Sequence, residues 1–336
     1  MNRQIEEILI NAKYGRAITK EEAVFLLSLD ENSLEAALLR STANTVSRER
    51  FHNNGYHFGQ IGVAMSSCTA NCSFCFYADA YTQIEPSTVS VDETISRCER
   101  FAVGGSQGVY LISMHHMDFD WYLNLCATVR KRIPDNLELL ANVGDISLQQ
   151  WRELKAAGIT GAYHASRIRE GIDTRLKPKQ RIKTIENMLE AGIDWYNLCE
   201  PVGPEHSPEE LAEQIWIGVE MPCVQHGALQ RFPVPGSPLY SKGMISLQRL
   251  GQIVAVIALA TLNKKEMKYI SVMLSSHVGL FSGANVIYSE TGEPLISNKA
   301  NDNSAAGFTS AQWRQSNEIT TYDCRQMLTS AGFSNI

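Results

Sequence analysis

The sequence predicts an α/β fold: a (βα)8 barrel of the TIM type behind an N-terminal helical extension. Two observations carry this. From about residue 59 onward, short apolar runs alternate with amphipathic helical stretches and recur roughly every 25 to 45 residues, the spacing of βα units. Eight such runs can be traced, the number that closes a barrel. No Pro/Gly/Ser linker and no low-complexity block interrupts them.

The elements follow in order. The first 50 residues read as helical, with Ile5, Ile8, Leu9 and Ala12 at helical spacing. Thr19-Lys20-Glu21-Glu22 fits a capping box, in which a hydroxyl and a carboxylate three residues on satisfy free amides. It opens an apolar run that ends near Leu29. A third helix is expected from Ser33 through Ala43. Strands are expected near Gly59–Ser66, Gly108–Ile112, Glu138–Ala141, Gly161–Arg167, Trp195–Cys199, Cys223–Phe232, Tyr269–Leu274 and Asn285–Ile287. Between them lie helical segments at Val91–Ala102, Trp121–Arg132, Ser147–Ala157, Arg181–Ala191, Pro208–Gly218 and Leu247–Leu262. The stretch from Glu293 to Ser316 is rich in Asn, Ser and Ala and reads as loop. A last helix, Thr321 to Ala331, stops before Gly332. The expected division is a helical extension over 1–50, a barrel over 51–290, and a C-terminal loop and helix cap over 291–336.

Composition narrows the function. The chain has 336 residues, is 44% hydrophobic and 20% charged, and so can bury a large core. Thirty Lys+Arg against 36 Asp+Glu leave a net charge of −6, which argues against a general nucleic-acid grip. The apolar run Ile253 to Leu262 is too short to span a bilayer. Met1 to Ile10 carries Arg3, Glu6 and Glu7 and lacks a secretory hydrophobic region. A cytoplasmic protein with no membrane or nucleic-acid partner is expected.

In a reducing compartment, clustered thiols read as metal ligands or catalysts. Of the 8 cysteines, Cys68, Cys72 and Cys75 form a C-x3-C-x2-C run directly after the first predicted strand. That position is the C-terminal mouth, where barrel active sites form. Three thiolates on one loop can hold three irons of a cubane and leave the fourth iron open for chemistry. The competing readings are a structural zinc site completed by His52 or His57, an electron-carrying cluster, and chance cysteines in a core helix.

Cys68-Thr-Ala-Asn-Cys72-Ser-Phe-Cys75 resembles the signature of the radical S-adenosylmethionine (SAM) enzymes. The similarity runs along nearly the whole chain. Gly15 to Ala23, Leu140-Ala-Asn-Val-Gly144, Arg181 to Ile193, Pro233-Val-Pro-Gly-Ser-Pro-Leu239 and Ser282-Gly-Ala-Asn-Val-Ile287 resemble segments of biotin synthase, the hydrogenase maturase and methylornithine synthase. The resemblance implies a 4Fe–4S cluster on Cys68, Cys72 and Cys75 whose open iron chelates SAM. One-electron reduction, from a donor such as flavodoxin or ferredoxin, would cleave SAM to a 5′-deoxyadenosyl radical that abstracts hydrogen from a small-molecule substrate. It also implies anaerobic work.

Site residues follow by position in that resemblance. Phe74 is the aromatic beside the adenine. Ser113, in Ser113-Met114-His115, meets the methionine amine through backbone, and Arg181 pairs with the SAM carboxylate. Gly203, in Gly203-Pro-Glu-His206, lies where backbone contacts adenine. His115 and His116 project at the mouth as substrate ligands or acid/base groups. Tyr163, Ala165 and Arg167 would share an inward face by strand alternation. An inward arginine in a dry barrel needs an anion, either Glu200 on the next strand or an acidic substrate. Gln225, His226, Arg231, Ser276 and His277 are further lining candidates.

The second cluster of biotin synthase has no obvious ligands here. Tyr110, Leu140 and Tyr196 fall at its cysteine positions and Val272 near its arginine. Hydrogen abstraction from a small anionic, amino-acid-like substrate is therefore the expected function. Sulfur insertion through an unrecognised cluster, with Cys199 and Cys223 as contributors, is the alternative.

Overall fold

A computed structural model of the chain describes residues 2–82, 84–273, 275–290, 292 and 319–336. Among the described residues, eight parallel strands close a barrel. They are Tyr56–Met65, Gly108–Ser113, Glu138–Asn142, Gly161–Tyr163, a fifth in two pieces (Asp194–Tyr196 and Cys199–Val202), Gln225–Gln230, Tyr269–Met273 and Val286–Ser289. The last strand pairs with the first, Tyr56 opposite Val286, which removes both sheet edges. A short strand, Ser87–Thr88, runs antiparallel to the first at its mouth end.

Helices Val91–Val103, Phe119–Arg130, Leu148–Ala156, Pro178–Glu190, Pro208–Glu220 and Leu247–Ala260 wrap the outside. Their inner faces pack on the outward strand residues, among them Ile61, Val63, Leu111, Leu139, Ala162 and Trp195, in one core. From Leu250 on, helix Leu247–Ala260 is buried on every side: helices Lys20–Leu27 and Leu34–Arg50 of the extension lie on it. Its Gln252 amide donates to the carbonyls of Leu26 and Leu29. The capping box at Thr19 and Glu22 forms as the spacing requires.

Inward residues of the strands build a second, smaller core. Phe58, Tyr110, Leu140, Tyr196, Tyr269 and Val286 plug the N-terminal half of the barrel, with Phe58 and Tyr269 edge to face at 5.3 Å. Glu138 accepts from the Tyr196 hydroxyl at 2.5 Å and from the Tyr269 hydroxyl at 3.2 Å, so its charge is partnered inside the plug. The cavity lies above the plug, at the C-terminal mouth.

Two expectations are corrected. The third helix runs over Leu34–Arg50, well past Ala43. Its Ser, Thr and Asn residues are weak helix formers, but Leu39, Thr42, Ala43 and Val46 keep the helical spacing and are buried, so packing overrides propensity. The fourth strand ends at Tyr163 rather than Arg167. The His164 amide still reaches the Tyr196 carbonyl, after which the chain turns, with Arg169 at φ 56°. The loop expected over 293–316 lies outside the described residues. The last helix spans Thr321–Ser330.

Candidate active site

A cavity of about 290 Å³ sits inside the mouth. Cys68, Cys72 and Cys75 all line it. Their loop is braced from several sides. The Cys68 amide donates to the Tyr77 carbonyl at 2.6 Å, and the Cys75 amide to the Tyr81 hydroxyl at 3.1 Å. Tyr81 in turn donates to the Cys72 carbonyl. Ser73 bonds Asp173 and Leu239 of two neighbouring loops. Asn71 holds a left-handed φ of 46° while its side chain accepts from the Ala80 amide.

The donor set fits an iron–sulfur cluster. Burial pushes the Cys72 thiol up to about 12 and raises Cys75 as well. Such thiols stay protonated at neutral pH unless a cation stabilises the thiolate. Among the described residues, no three His, Cys, Asp or Glu side chains converge as ligands of a single ion. A cubane asks for a different arrangement, one cysteine per iron. The zinc reading loses its fourth ligand: His57 lies near the start of the first strand, roughly 25 Å of strand from Cys68, with its Nδ1 3.1 Å from Ser106. His52 precedes that strand in an exposed turn.

Arg167 reaches the cavity from the turn, not from a strand. Its Nε donates to Glu200 at 3.0 Å, and the Tyr163 hydroxyl donates to the same carboxylate oxygen. Burial opposes the guanidinium charge, but Glu200, Tyr163 and Glu170 outweigh it and Arg167 is held firmly charged. Among the described residues its two terminal nitrogens make no hydrogen bond, and the residue lines the cavity.

Arg181 also lines the cavity but is tied back. Its Nε and Nη2 donate to the Ala165 carbonyl, and its Nη1 to Asp145 at 3.0 Å. Asp145 further accepts from Thr184 and faces His164 Nε2 at 3.1 Å. Burial works against the Asp145 charge, yet His164 and Arg181 hold it well below the usual carboxylate range. Sequence reasoning missed Asp145 and His164. The only signal was an Asp immediately after Leu140-Ala-Asn-Val-Gly144, at a strand end where barrels place functional groups.

Ser113, His115, Tyr163 and Glu200 join the cysteines, Arg167 and Arg181 in the lining. Burial lowers the His115 pKa, so its ring is neutral at pH 7. Phe74 is half-buried on the cysteine loop outside the lining, where Tyr77 stands instead. Gly203 also lies outside the lining; its amide donates to His206 Nδ1, and the Arg231 guanidinium fills the space a side chain would take. Ala165 faces away from the cavity, contributing only the carbonyl that holds Arg181. Arg231 pairs bidentately with Glu205, His226 is buried against the Ile215 carbonyl, and His277 bonds Ser330. None of these, nor Gln225, lines the cavity. Cys199 and Cys223 belong to the outer core, so neither points at the interior.

No family model matches the chain. The biotin synthase of Clostridioides difficile is 31% identical over 191 residues, which are 53% of this chain and 58% of that protein. The match therefore spans under two thirds of that relative. The biotin synthase of Pelotomaculum thermopropionicum is 26% identical over 253 residues, 71% of this chain and 76% of its own. Among solved structures, methylornithine synthase superposes with a TM-score of 0.81 over 98% of this chain and 97% of its own, at 16% identity. The FeFe-hydrogenase maturase from Carboxydothermus hydrogenoformans gives 0.70 over 86% of this chain and 71% of its own, also at 16%. At such identities the structures speak for a shared barrel; the curated relatives and the cysteine loop speak for more. By these matches the chain is similar in sequence to biotin synthases and in fold to methylornithine synthase and the hydrogenase maturase, all radical SAM enzymes, which use a 4Fe–4S cluster and SAM.

Proposed function

We propose that this chain abstracts a hydrogen atom from a small carboxylic acid, of the size and polarity of an amino acid, inside its barrel. The observation that carries the reading is the pairing of two features in one cavity: three thiols on the mouth loop and a charged Arg167 with two unengaged nitrogens. When bound, the cluster and SAM together supply a 5′-deoxyadenosyl radical. The chain's own groups do the rest. Cys68, Cys72 and Cys75 would hold three irons as thiolates. Arg167 offers a forked donor to a substrate carboxylate, and Glu200 and Tyr163 fix its orientation. The neutral ring of His115 can accept a proton at the mouth. The aromatic plug below keeps the interior dry, which protects a radical from side reactions.

Sulfur insertion is not favoured. Tyr110, Leu140 and Tyr196 fill the interior, and none of Cys98, Cys126, Cys199, Cys223 or Cys324 lines the cavity. The test is anaerobic. Protein reconstituted with iron and sulfide should carry about four irons per chain and form 5′-deoxyadenosine from SAM and dithionite. Cys72→Ala should lose both. Tightly bound zinc with no SAM cleavage would sink the reading, and a clear excess of iron would restore the sulfur-inserting one.

A further inference from the structure

The floor of the cavity, where it meets the aromatic plug, is polar. Gln60, Tyr110 and Tyr288 line it from three neighbouring strands, and all three are buried. Gln60 lies opposite Tyr110 in register, Tyr288 lies opposite Phe58, and the rings of Tyr110 and Tyr288 are 6.2 Å apart. Behind them, the fully buried Ser271 and Gln225 stand with Tyr110 around the Tyr288 hydroxyl. Gly227 makes room for this group: a Cβ there would lie 2.1 Å from Ser271 Oγ.

These groups are short of partners. Among the described residues, the Tyr110 hydroxyl, Ser271 Oγ and both amide atoms of Gln225 make no hydrogen bond of ordinary length. Gln60 gives Nε2 to Met273 Sδ at 3.5 Å, a weak acceptor. The Tyr288 phenol has one proton and two lone pairs, too few for the atoms around it. A buried polar atom left unpaired is costly, so the floor calls for an occupant that both donates and accepts. Water can serve in the free protein; a ligand that displaces it must replace those bonds.

The floor is also uncharged. Burial raises both phenols, Tyr288 to about 12, so they keep their protons at neutral pH. The charged side chains of the described lining are Arg167, Arg181 and Glu200. Asp145 and the Ala165 carbonyl hold Arg181, while Arg167 and Tyr163 hold Glu200. Glu138, in the plug, is held by Tyr196 and Tyr269. A carboxylate at the floor would lack a cation, and an ammonium would lack a free acid. Glu200 bonds Arg167 and is also close enough to push up the Tyr288 phenol, so one small molecule can span Arg167 and the floor.

We propose that this floor binds an uncharged carboxamide of the substrate, so that the acid taken by Arg167 carries an amide at its other end. This rests on the proposed function for the acid end; the amide end is carried by the floor alone. A carboxamide brings an NH2 donor and a carbonyl acceptor, which suit an amide and two phenols that each do both.

The probes are succinamate, glutaramate and adipamate, each compared with its dicarboxylate and with the unbranched monocarboxylate of equal length. Anaerobic isothermal titration of the reconstituted holoprotein should show at least one monoamide binding tenfold or more tighter than both comparators. In Gln60→Leu/Tyr288→Phe the monoamide should fall to the level of the monocarboxylate, with iron content unchanged. Tyr110→Phe, which removes a hydroxyl and little packing, should lose part of the preference and guards against a folding defect in the double variant. No monoamide preference in the wild type, a preference kept in both variants, or no binding of any probe would overturn the assignment. Failure of the proposed function looks different. Arg167→Ala would then bind monoamides as tightly as the wild type, or no 5′-deoxyadenosine would form with dithionite, while the amide preference and its loss in Gln60→Leu/Tyr288→Phe remained.

Discussion

Arg167 and Arg181 show how much a residue's partners decide. Arg181 is buried and Arg167 half-buried, both border one cavity, and both need anions to offset the cost of leaving water. Arg181 has every nitrogen engaged by Asp145 and the Ala165 carbonyl, whereas Arg167 gives only Nε to Glu200. The free fork therefore belongs to Arg167. The sequence let the Arg167–Glu200 pair be expected, because adjacent strands bring the two together. It hid the Asp145–His164–Arg181–Thr184 cluster, whose members come from three separate segments, Arg181 and Thr184 sharing one helix. In a thermal-shift panel of small carboxylic acids on holoprotein, at least one acid should stabilise the wild type. Arg167→Ala should bind that acid roughly 10- to 100-fold more weakly, the worth of a lost charge-assisted bond, with iron content unchanged. An equal shift in both proteins would remove Arg167 from substrate binding.

At the scale of elements, the mouth is made of loops that touch one another through backbone. Gly144, just past the third strand, is an example: a Cβ there would overlap the carbonyl oxygen and ring of His115 on the loop after the second strand. Only a residue without a side chain lets these two loops close on the cavity. Gly144→Ala should cost about 1 to 3 kcal/mol by overpacking, lower the thermal midpoint, and speed hydrogen exchange over residues 112–117. An unchanged midpoint and exchange pattern would show that the loops yield freely. Periodicity and caps made most helices and strands legible, because amphipathic spacing and a hydroxyl or carboxylate at the cap are local properties. The fourth strand was overextended because His164 to Arg167 alternates like a strand but obeys tertiary demands. Ala165 must turn its carbonyl to Arg181, and the Ile168 amide reaches the Glu200 carbonyl.

Across the whole molecule, burial of histidine sets how stability responds to acid. His57, His164 and His226 lie in three different parts of the barrel wall and are each 1% exposed or less. Burial holds His57 and His226 down to about 4 and His164 to about 3. In the unfolded chain an imidazole titrates near 6.5, so between about pH 6.5 and 4 the unfolded state binds more protons than the native one. A depressed native pKa contributes stability that is complete above the unfolded value and is lost as pH falls. Each histidine can add a slope of about 1.4 kcal/mol per pH unit in that window. Asp145, also depressed, extends the same sign to still lower pH. The urea midpoint should therefore drop between pH 7 and pH 5. His226→Gln should flatten the dependence by close to one proton, since it removes one group that only the unfolded chain can charge. His226 is the informative choice, because its ring nitrogens meet the Ile215 carbonyl and the Gly227 amide in the outer wall, away from the cavity. Identical pH slopes in the two proteins would mean that the buried imidazoles are charged in the native state, and that water reaches a wall the packing describes as dry.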